Sequence, residues 1–254
     1  MADRAIELEG HWALVTGSSS GIGQAIAREL AAAGASVIVH GFRKSSAAEQ
    51  LAKSLRQEGR ESQALHFDLS IEENRTAMVH DAWKIAPIDI WINNAGADVL
   101  TGAAATGSFA DKLEQLWDVD VKATLHLSRE VGRRMKQRGR GVILNMGWDQ
   151  AHTGMAGDSG EMFAATKGAI MAFSSSLAKS LAPEVRVNCL APGWIKTAWG
   201  ESASDYWQER AAKESLARRW GTPQDVAEAA CYLASPRASF ITGQILCVNG
   251  GSPR

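Results

Sequence analysis

Trp12-Ala-Leu-Val-Thr16-Gly17-Ser18-Ser19-Ser20-Gly21-Ile22-Gly23 joins a short apolar run, through a loop of small residues, to the start of an amphipathic one. The run is β-branched enough to read as a buried strand. After the loop, Ile22, Ala25, Ile26 and Leu30 fall on one face at helical spacing, and Gly34 follows as a helix-ending C′ residue. Glycines at 17, 21 and 23 permit a tight turn and let backbone N–H groups come close to a pyrophosphate at the positive end of the helix. The serines add hydroxyl donors. A glycine-rich turn can also serve packing alone, but its position between the first strand and the first helix favours a dinucleotide-binding loop.

Working outward, further short apolar runs alternate with helix-length segments. Ser36–Val39, Ala64–Phe67, Ile88–Ile92, Val142–Asn145, Val185–Asn188 and Ile245–Val248 read as strands buried on both faces. Seven strands in this alternation imply right-handed crossovers and a Rossmann-type α/β fold: a doubly wound, seven-stranded parallel sheet with helices on both faces. No repeat, low-complexity tract or linker-like shift in composition divides the chain, so residues 1–254 are expected to form one domain.

Composition narrows the function. The 254 residues are 45% hydrophobic and 22% charged, with 27 basic against 28 acidic residues and a net charge of -1, which argues against a nucleic-acid or polybasic membrane surface. No run approaches a membrane span and no leader-like apolar segment opens the chain, so a cytoplasmic protein is expected. Cys189, Cys231 and Cys247 are odd in number and widely spaced, reading as buried reduced thiols; no spacing of His, Asp, Glu or Cys suggests a metal site.

The chain resembles the short-chain dehydrogenase/reductase family, among whose members it is most like the 3-ketoacyl reductases and glucose dehydrogenases. Thr16–Gly23 matches the family's cofactor loop, and Asn93-Asn94-Ala95-Gly96 matches the motif after the fourth strand. Asp68-Leu69 falls at the adenine-contact position. Arg186-Val-Asn188 with Pro192-Gly193-Trp194-Ile195-Lys196-Thr197 matches the segment on the nicotinamide side. Arg219–Pro223, Ile241–Gln244 and Asn249–Gly251 match C-terminal signatures. The resemblance implies that a dinucleotide is held by Gly17, Ser19, Ser20, Gly21, Ile22, Gly23, Phe42, Arg43, Asp68, Leu69, Asn94, Ala95, Gly96, Lys167, Pro192, Gly193, Ile195 and Thr197. After the second strand the chain reads His40-Gly41-Phe42-Arg43-Lys44, with two cations and no carboxylate. NADP(H) is therefore expected over NAD(H), since Arg43 can pair with a 2′-phosphate, although a solvated basic loop reads the same way and Ser20 stands where NADP-preferring members often carry a cation.

The resemblance breaks at the catalytic positions. The family passes a proton through a Tyr, four residues before a Lys that lowers its pKa and holds the nicotinamide ribose. Here the segment is Phe163-Ala-Ala-Thr-Lys167, so the Lys is kept and the Tyr position is Phe163. The family's substrate-orienting Ser aligns with Trp148, or with Asp149 if the somewhat long interval to Phe163 is read one residue shorter. The Asn of the water relay becomes Asp120, which is expected to be half buried and to pair with Lys167. Asp149 is the candidate substitute acid if an aromatic pocket raises its pKa, or else a loop or helix-capping carboxylate. Trp148, Phe163, Trp194 and Trp199 are expected to line a pocket for a planar or hydrophobic small molecule, under a lid at about 198–216. The expectation is an atypical NAD(P)(H)-dependent oxidoreductase, or alternatively a non-catalytic NADP(H)-binding sensor or partner subunit; by resemblance it forms a homo-oligomer, tetramer or dimer.

Overall fold

The computed structural model describes residues 7–251, apart from the side chain of Trp199. Among these residues seven strands alternate with helices: β1 (Trp12–Val15), α1 (Gly21–Ala32), β2 (Ser36–His40), α2 (Ser45–Gln57), β3 (Ser62–Leu65), α3 (Glu72–Ile85), β4 (Ile90–Asn93), α4 (Phe109–Leu116), α5 (Ala123–Gln137), β5 (Gly141–Met146), α6 (Asp158–Leu181), β6 (Val185–Pro192), α7 (Ala198–Ser202), α8 (Asp205–Glu214), α9 (Pro223–Ala234) and β7 (Ile245–Val248). The strands form one sheet in the order β3-β2-β1-β4-β5-β6-β7, every pair parallel. This is the expected doubly wound Rossmann-type sheet.

Alternation along the strands explains why both faces are covered. Ala13, Val15, Val37, Val39, Ile90 and Ile92 enter a core with Ile26 and Leu30 of α1 and Val226 and Leu233 of α9. Leu14, Ile38, Trp91 and Ile143 point the other way, into a second core with Met78 and Val79 of α3 and Leu127 and Val131 of α5. A strand of period two buried on both faces has no polar side, hence the continuous apolar runs. Helix α1 ends as its sequence requires: Gly34 takes φ +108°, its N–H donates to Ala31 O (3.0 Å), and the Ala35 N–H donates to Leu30 O (3.0 Å).

Strand bounds moved where side chains competed with the ladder. β3 spans Ser62–Leu65, two residues earlier than expected, because Ser62 pairs with Val37 while Phe67 leaves the sheet to receive a side-chain donor. β6 runs on to Pro192, its register matched by β5 on one side and β7 on the other. Of the cysteines only Cys189 is buried as expected; Cys231, on α9, is half-buried, and Cys247 is exposed on β7, the outer strand of the sheet among the described residues. Among the described residues no helix is long and apolar enough to cross a membrane.

Candidate functional site

At the switch in strand order between β1 and β4, the loops leaving the C-terminal ends of the strands part and leave a crevice, the usual ligand position in an open parallel sheet. The loop between β1 and α1 forms one wall. Gly17 takes φ +64° and Gly21 φ +58°, and α1 begins at Gly21 with its N-cap Ser20 making no side-chain capping bond. The first-turn N–H groups of α1 are therefore left to an outside acceptor. A Cβ on Gly17 would lie 2.8 Å from Ala95 Cα, and one on Gly23 only 2.4 Å from Asn94 Nδ2, so this wall is packed directly on the Asn94–Gly96 segment.

Polar side chains fix that packing. Thr16 Oγ1 accepts from the N–H groups of both Asn94 and Ala95 (2.9 Å each), and Asn94 Nδ2 donates to Thr16 O (3.0 Å). His40, the last residue of β2, is buried beneath the loop. Its Nε2–H donates to Phe67 O (3.0 Å), so Nδ1 is left to accept the Gly17 N–H (3.1 Å). Burial depresses its pKa to about 4, and the neighbouring His66 pushes the same way, which keeps the ring neutral and the acceptor available. One imidazole thus ties the glycine loop to the strand end that carries Phe67 and Asp68.

The resulting cleft has a volume of about 740 Å³ and brings together Gly17, Ser19, Ser20, Phe42, Arg43, Asp68, Leu69, Asn94, Ala95 and Gly96, all expected from sequence. Phe42, Arg43 and Lys44 are exposed at its rim. Asp68 is turned into its own loop, accepting from the N–H (3.0 Å) and Oγ (2.7 Å) of Ser70. Thr197 approaches the glycine loop from the far side, its Cγ2 3.8 Å from where a Gly21 Cβ would stand. Ile22 packs against the core beneath, and Ile195 is buried against Gly221 by an isolated bridge. Pro192 closes β6, and the Gly193 N–H donates to Val248 O (3.1 Å).

Beyond Gly96 lies a buried charge pair. Lys167 Nζ stands 2.8 Å from Asp120 Oδ2, with the side chains 12% and 2% exposed; the pair the sequence suggested is formed, deeper than half-buried. The other Asp120 oxygen accepts the Ala97 N–H (2.8 Å). Asp120 sits in a π-helical turn, Trp117–Lys122, that joins α4 to α5. One turn before Lys167 on α6, Phe163 meets the Trp148 ring edge-to-face, centroids 6.3 Å apart, and packs with Val99, Leu116 and Met162. Neither ring bears an O–H.

Asp149 follows Trp148 in a short 3₁₀ turn. Its Oδ2 accepts from Asn249 Nδ2 (3.0 Å), beside Gly193, while Oδ1 is buried with no hydrogen-bond partner among the described residues. Burial raises its carboxyl above the ordinary Asp range, and Glu214 adds to this, against the opposing Asn249 bond. Lys167 is thus engaged by Asp120, and Asp149 by the C-terminal loop.

Trp194 serves the segment expected to act as a lid. Its Nε1–H donates to Glu214 Oε2 (2.7 Å), and its ring packs on Trp207 and Trp220 at centroid distances of 5.4 and 6.0 Å. Arg210 holds the other Glu214 oxygen at 2.7 Å and lies over the Trp207 ring. Trp220 joins this cluster; the Trp199 side chain lies outside the described residues. His40, Thr16 and Glu214 were not singled out by sequence. Their partners lie far along the chain, and only the histidine at a strand end beside the glycine loop offered a signal.

The family profile described as Enoyl-(Acyl carrier protein) reductase matches residues 17–252. Dehydrogenase/reductase SDR family member 4 of Homo sapiens is 36% identical over 249 residues, covering 95% of this chain and 87% of its own. A gluconate 5-dehydrogenase from Burkholderia cenocepacia J2315, solved in complex with NADP and tartrate, is 31% identical with a TM-score of 0.87, covering 99% and 98% of the two chains. A 7α-hydroxysteroid dehydrogenase complexed with NADH and 7-oxo glycochenodeoxycholic acid is 32% identical with a TM-score of 0.88, covering 99% and 98%. By profile, by sequence relatives and by fold, the chain belongs to the short-chain dehydrogenase/reductase family.

Proposed function

We propose that this protein is a nicotinamide-dinucleotide oxidoreductase whose proton-handling positions have been replaced: Phe163 stands for the family's Tyr, Trp148 for its Ser and Asp120 for its Asn. The observation that carries the reading is the cleft of about 740 Å³ that opens at the N-terminus of α1, where added Cβ atoms on Gly17 and Gly23 would collide with the opposite wall. A pyrophosphate fits the free N–H groups between Ser19 and Gly23. Asp68 and Leu69 would flank the adenine, and Phe42 and Arg43 its ribose. Lys167 would hold the nicotinamide ribose, with Pro192–Thr197 along the nicotinamide itself. When bound, the reduced cofactor supplies a hydride.

The protein's own residues bind and orient; they offer little acid. Losing a general acid costs about 10²–10⁴ in rate, and losing an oxyanion donor about 10²–10³. Substrates are therefore small molecules whose reduction needs little help from an enzyme O–H. Asp149 is assigned a holding role, tying the turn after β5 to the C-terminal loop. The chain is read as one domain, with α7 and α8 as the lid and a homo-oligomer as its assembly. Relatives have been solved with NADP and with NADH; the cations Arg43 and Lys44 favour NADP(H) here.

Energy transfer from tryptophan to reduced nicotinamide tests this. NADPH is expected to bind more tightly than NADH, and Arg43→Ala to weaken NADPH about tenfold while leaving NADH nearly unchanged. Absence of any signal with either dinucleotide at millimolar concentration would sink the reading. The same Phe163 and Trp148 also favour a second reading, a dinucleotide-binding protein without turnover. NADPH binding with no oxidation of it across carbonyl, imine, iminium and enone compounds would select that one.

A further inference from the structure

We infer that the substrate-side half of the site is built for a planar iminium cation, reduced at its C=N carbon. This rests on the dinucleotide reading above and names the substrate class for the same site.

The argument is one of charge. Hydride addition to a ketone creates an alkoxide, which needs O–H donors or unpaired positive charge beside it. Neither is provided by Phe163, one turn before Lys167 on α6, or by the Trp148 ring that packs on it. Phe163 and Trp148 present hydrocarbon and indole, backed by Val99 and Met162. Lys167 is already matched by Asp120 at 2.8 Å, so the pair brings no net positive charge to the cleft. The turn that starts at Trp148 adds a further carboxylate, Asp149.

An iminium makes the opposite demand. Its positive charge is present in the ground state and is discharged by the reaction, so no oxyanion donor is called for. The iminium carbon gains a hydrogen with its bonding electron pair, supplied as hydride by the reduced dinucleotide, and a C–H bond forms. The C=N π pair becomes the nitrogen lone pair. The substrate is reduced to an amine, the dinucleotide is oxidised, and no proton moves. Aromatic faces attract such a cation, and the Asp120 carboxylate removes the repulsion that a bare Lys167 would impose.

A matched pair of compounds tests this: 2-methyl-3,4-dihydroisoquinolinium, a permanent iminium cation, and 1-tetralone, a neutral ketone of the same shape. With NADPH the iminium is expected to be reduced with a kcat/KM at least a hundredfold above that for tetralone. Binding of the non-reducible 2-methylisoquinolinium is measured separately by calorimetry, with and without NADPH. Asp120→Asn, which leaves Lys167 without its counter-charge, and Trp148→Leu, which removes an aromatic face, are each expected to weaken that binding about tenfold, both with saturating NADPH and without it. Equal or better turnover of tetralone overturns the inference, as does NADPH binding without binding of the cation, or cation binding indifferent to both substitutions. Failure of NADPH to bind overturns the functional reading instead, and the isoquinolinium titration without cofactor still judges this one.

Discussion

His40 shows how much of a binding loop can hang on one side chain. Its ring takes the Gly17 N–H on one nitrogen and gives its proton to Phe67 O with the other, which requires the neutral Nε2–H tautomer. Burial lowers its pKa from 6.5 to about 4. In this pH range the unfolded chain therefore binds a proton that the folded one refuses. Stability is complete above pH 6.5 and falls with acid until about pH 4, a loss of about 3 kcal/mol from this group. Urea denaturation at pH 7.5 and pH 4.5 checks the sign: His40→Asn, which keeps an acceptor near Gly17 but cannot ionise, should lose markedly less stability on acidification than the parent. Equal losses would show that the imidazole is not the titrating group. The role of His40 was not legible in the sequence, whereas the placement of Lys167 one turn from Phe163 was. Lys167 and Phe163 share a helix face by their spacing alone, so their neighbourhood follows from local geometry. His40 acquires its role from Gly17 and Phe67, 23 and 27 residues away in the loops that follow two other strands.

Among the elements, α8 is attached to the body through a narrow set of side chains. Only Ala211 of its ten residues is buried, and besides the packing of Trp207 on Trp194 its grip on the body passes through Glu214, which accepts from Trp194 and Gln150 as well as from Arg210 of the same helix. Burial alone would raise the Glu214 carboxyl, but the bonds from Arg210 and Trp194 outweigh it and hold it below the usual range. A segment with few buried apolar contacts opens at low cost, as the proposed lid would have to. Glu214→Gln keeps the size and removes the charge-assisted bonds, a loosening of about 1–2 kcal/mol. Limited proteolysis should then cut within 198–216 roughly ten times faster, with global unfolding in denaturant little changed; an unaltered digestion rate would place the latch elsewhere. The reading of 198–216 as a lid came from the family resemblance, with Gly200, Ser202 and Ser204 as its small residues. Its ends were harder to read, since the two short helices are organised by the Trp194, Trp207 and Trp220 cluster rather than by their own periodicity. The π-helical turn at Trp117–Lys122 was invisible for a similar reason: it presents Asp120 to a lysine on another helix.

At the scale of the molecule, the sheet divides at the β1–β4 junction, and the cleft draws its walls from both sides of it. The glycine loop and His40 belong to the β1–β2 side. Asn94–Ala97 and the Lys167–Asp120 pair belong to the side of β4 and β5. Behind them a buried polar lattice stiffens the second half: Asn93 donates to Ser128 Oγ (2.8 Å) and Asn145 Oδ1 (2.9 Å), and Asn145 donates to Ser174 Oγ (2.9 Å). Strand order was readable because an alternation of strands and helices admits few topologies once crossovers are right-handed. This lattice was not, because buried Asn and Ser residues look like loop residues until the register is known. A dinucleotide lying across the junction would bind only when both halves are folded, so its affinity adds to the stability of the whole. At a hundred times its dissociation constant the gain is about 2.7 kcal/mol, which for a chain of this size raises the melting temperature by roughly 5–10 °C. Calorimetric scans with increasing NADPH should show a single transition moving upward by that amount. Two transitions, with only one displaced, would mean that the halves unfold separately and that the cofactor is held by one of them.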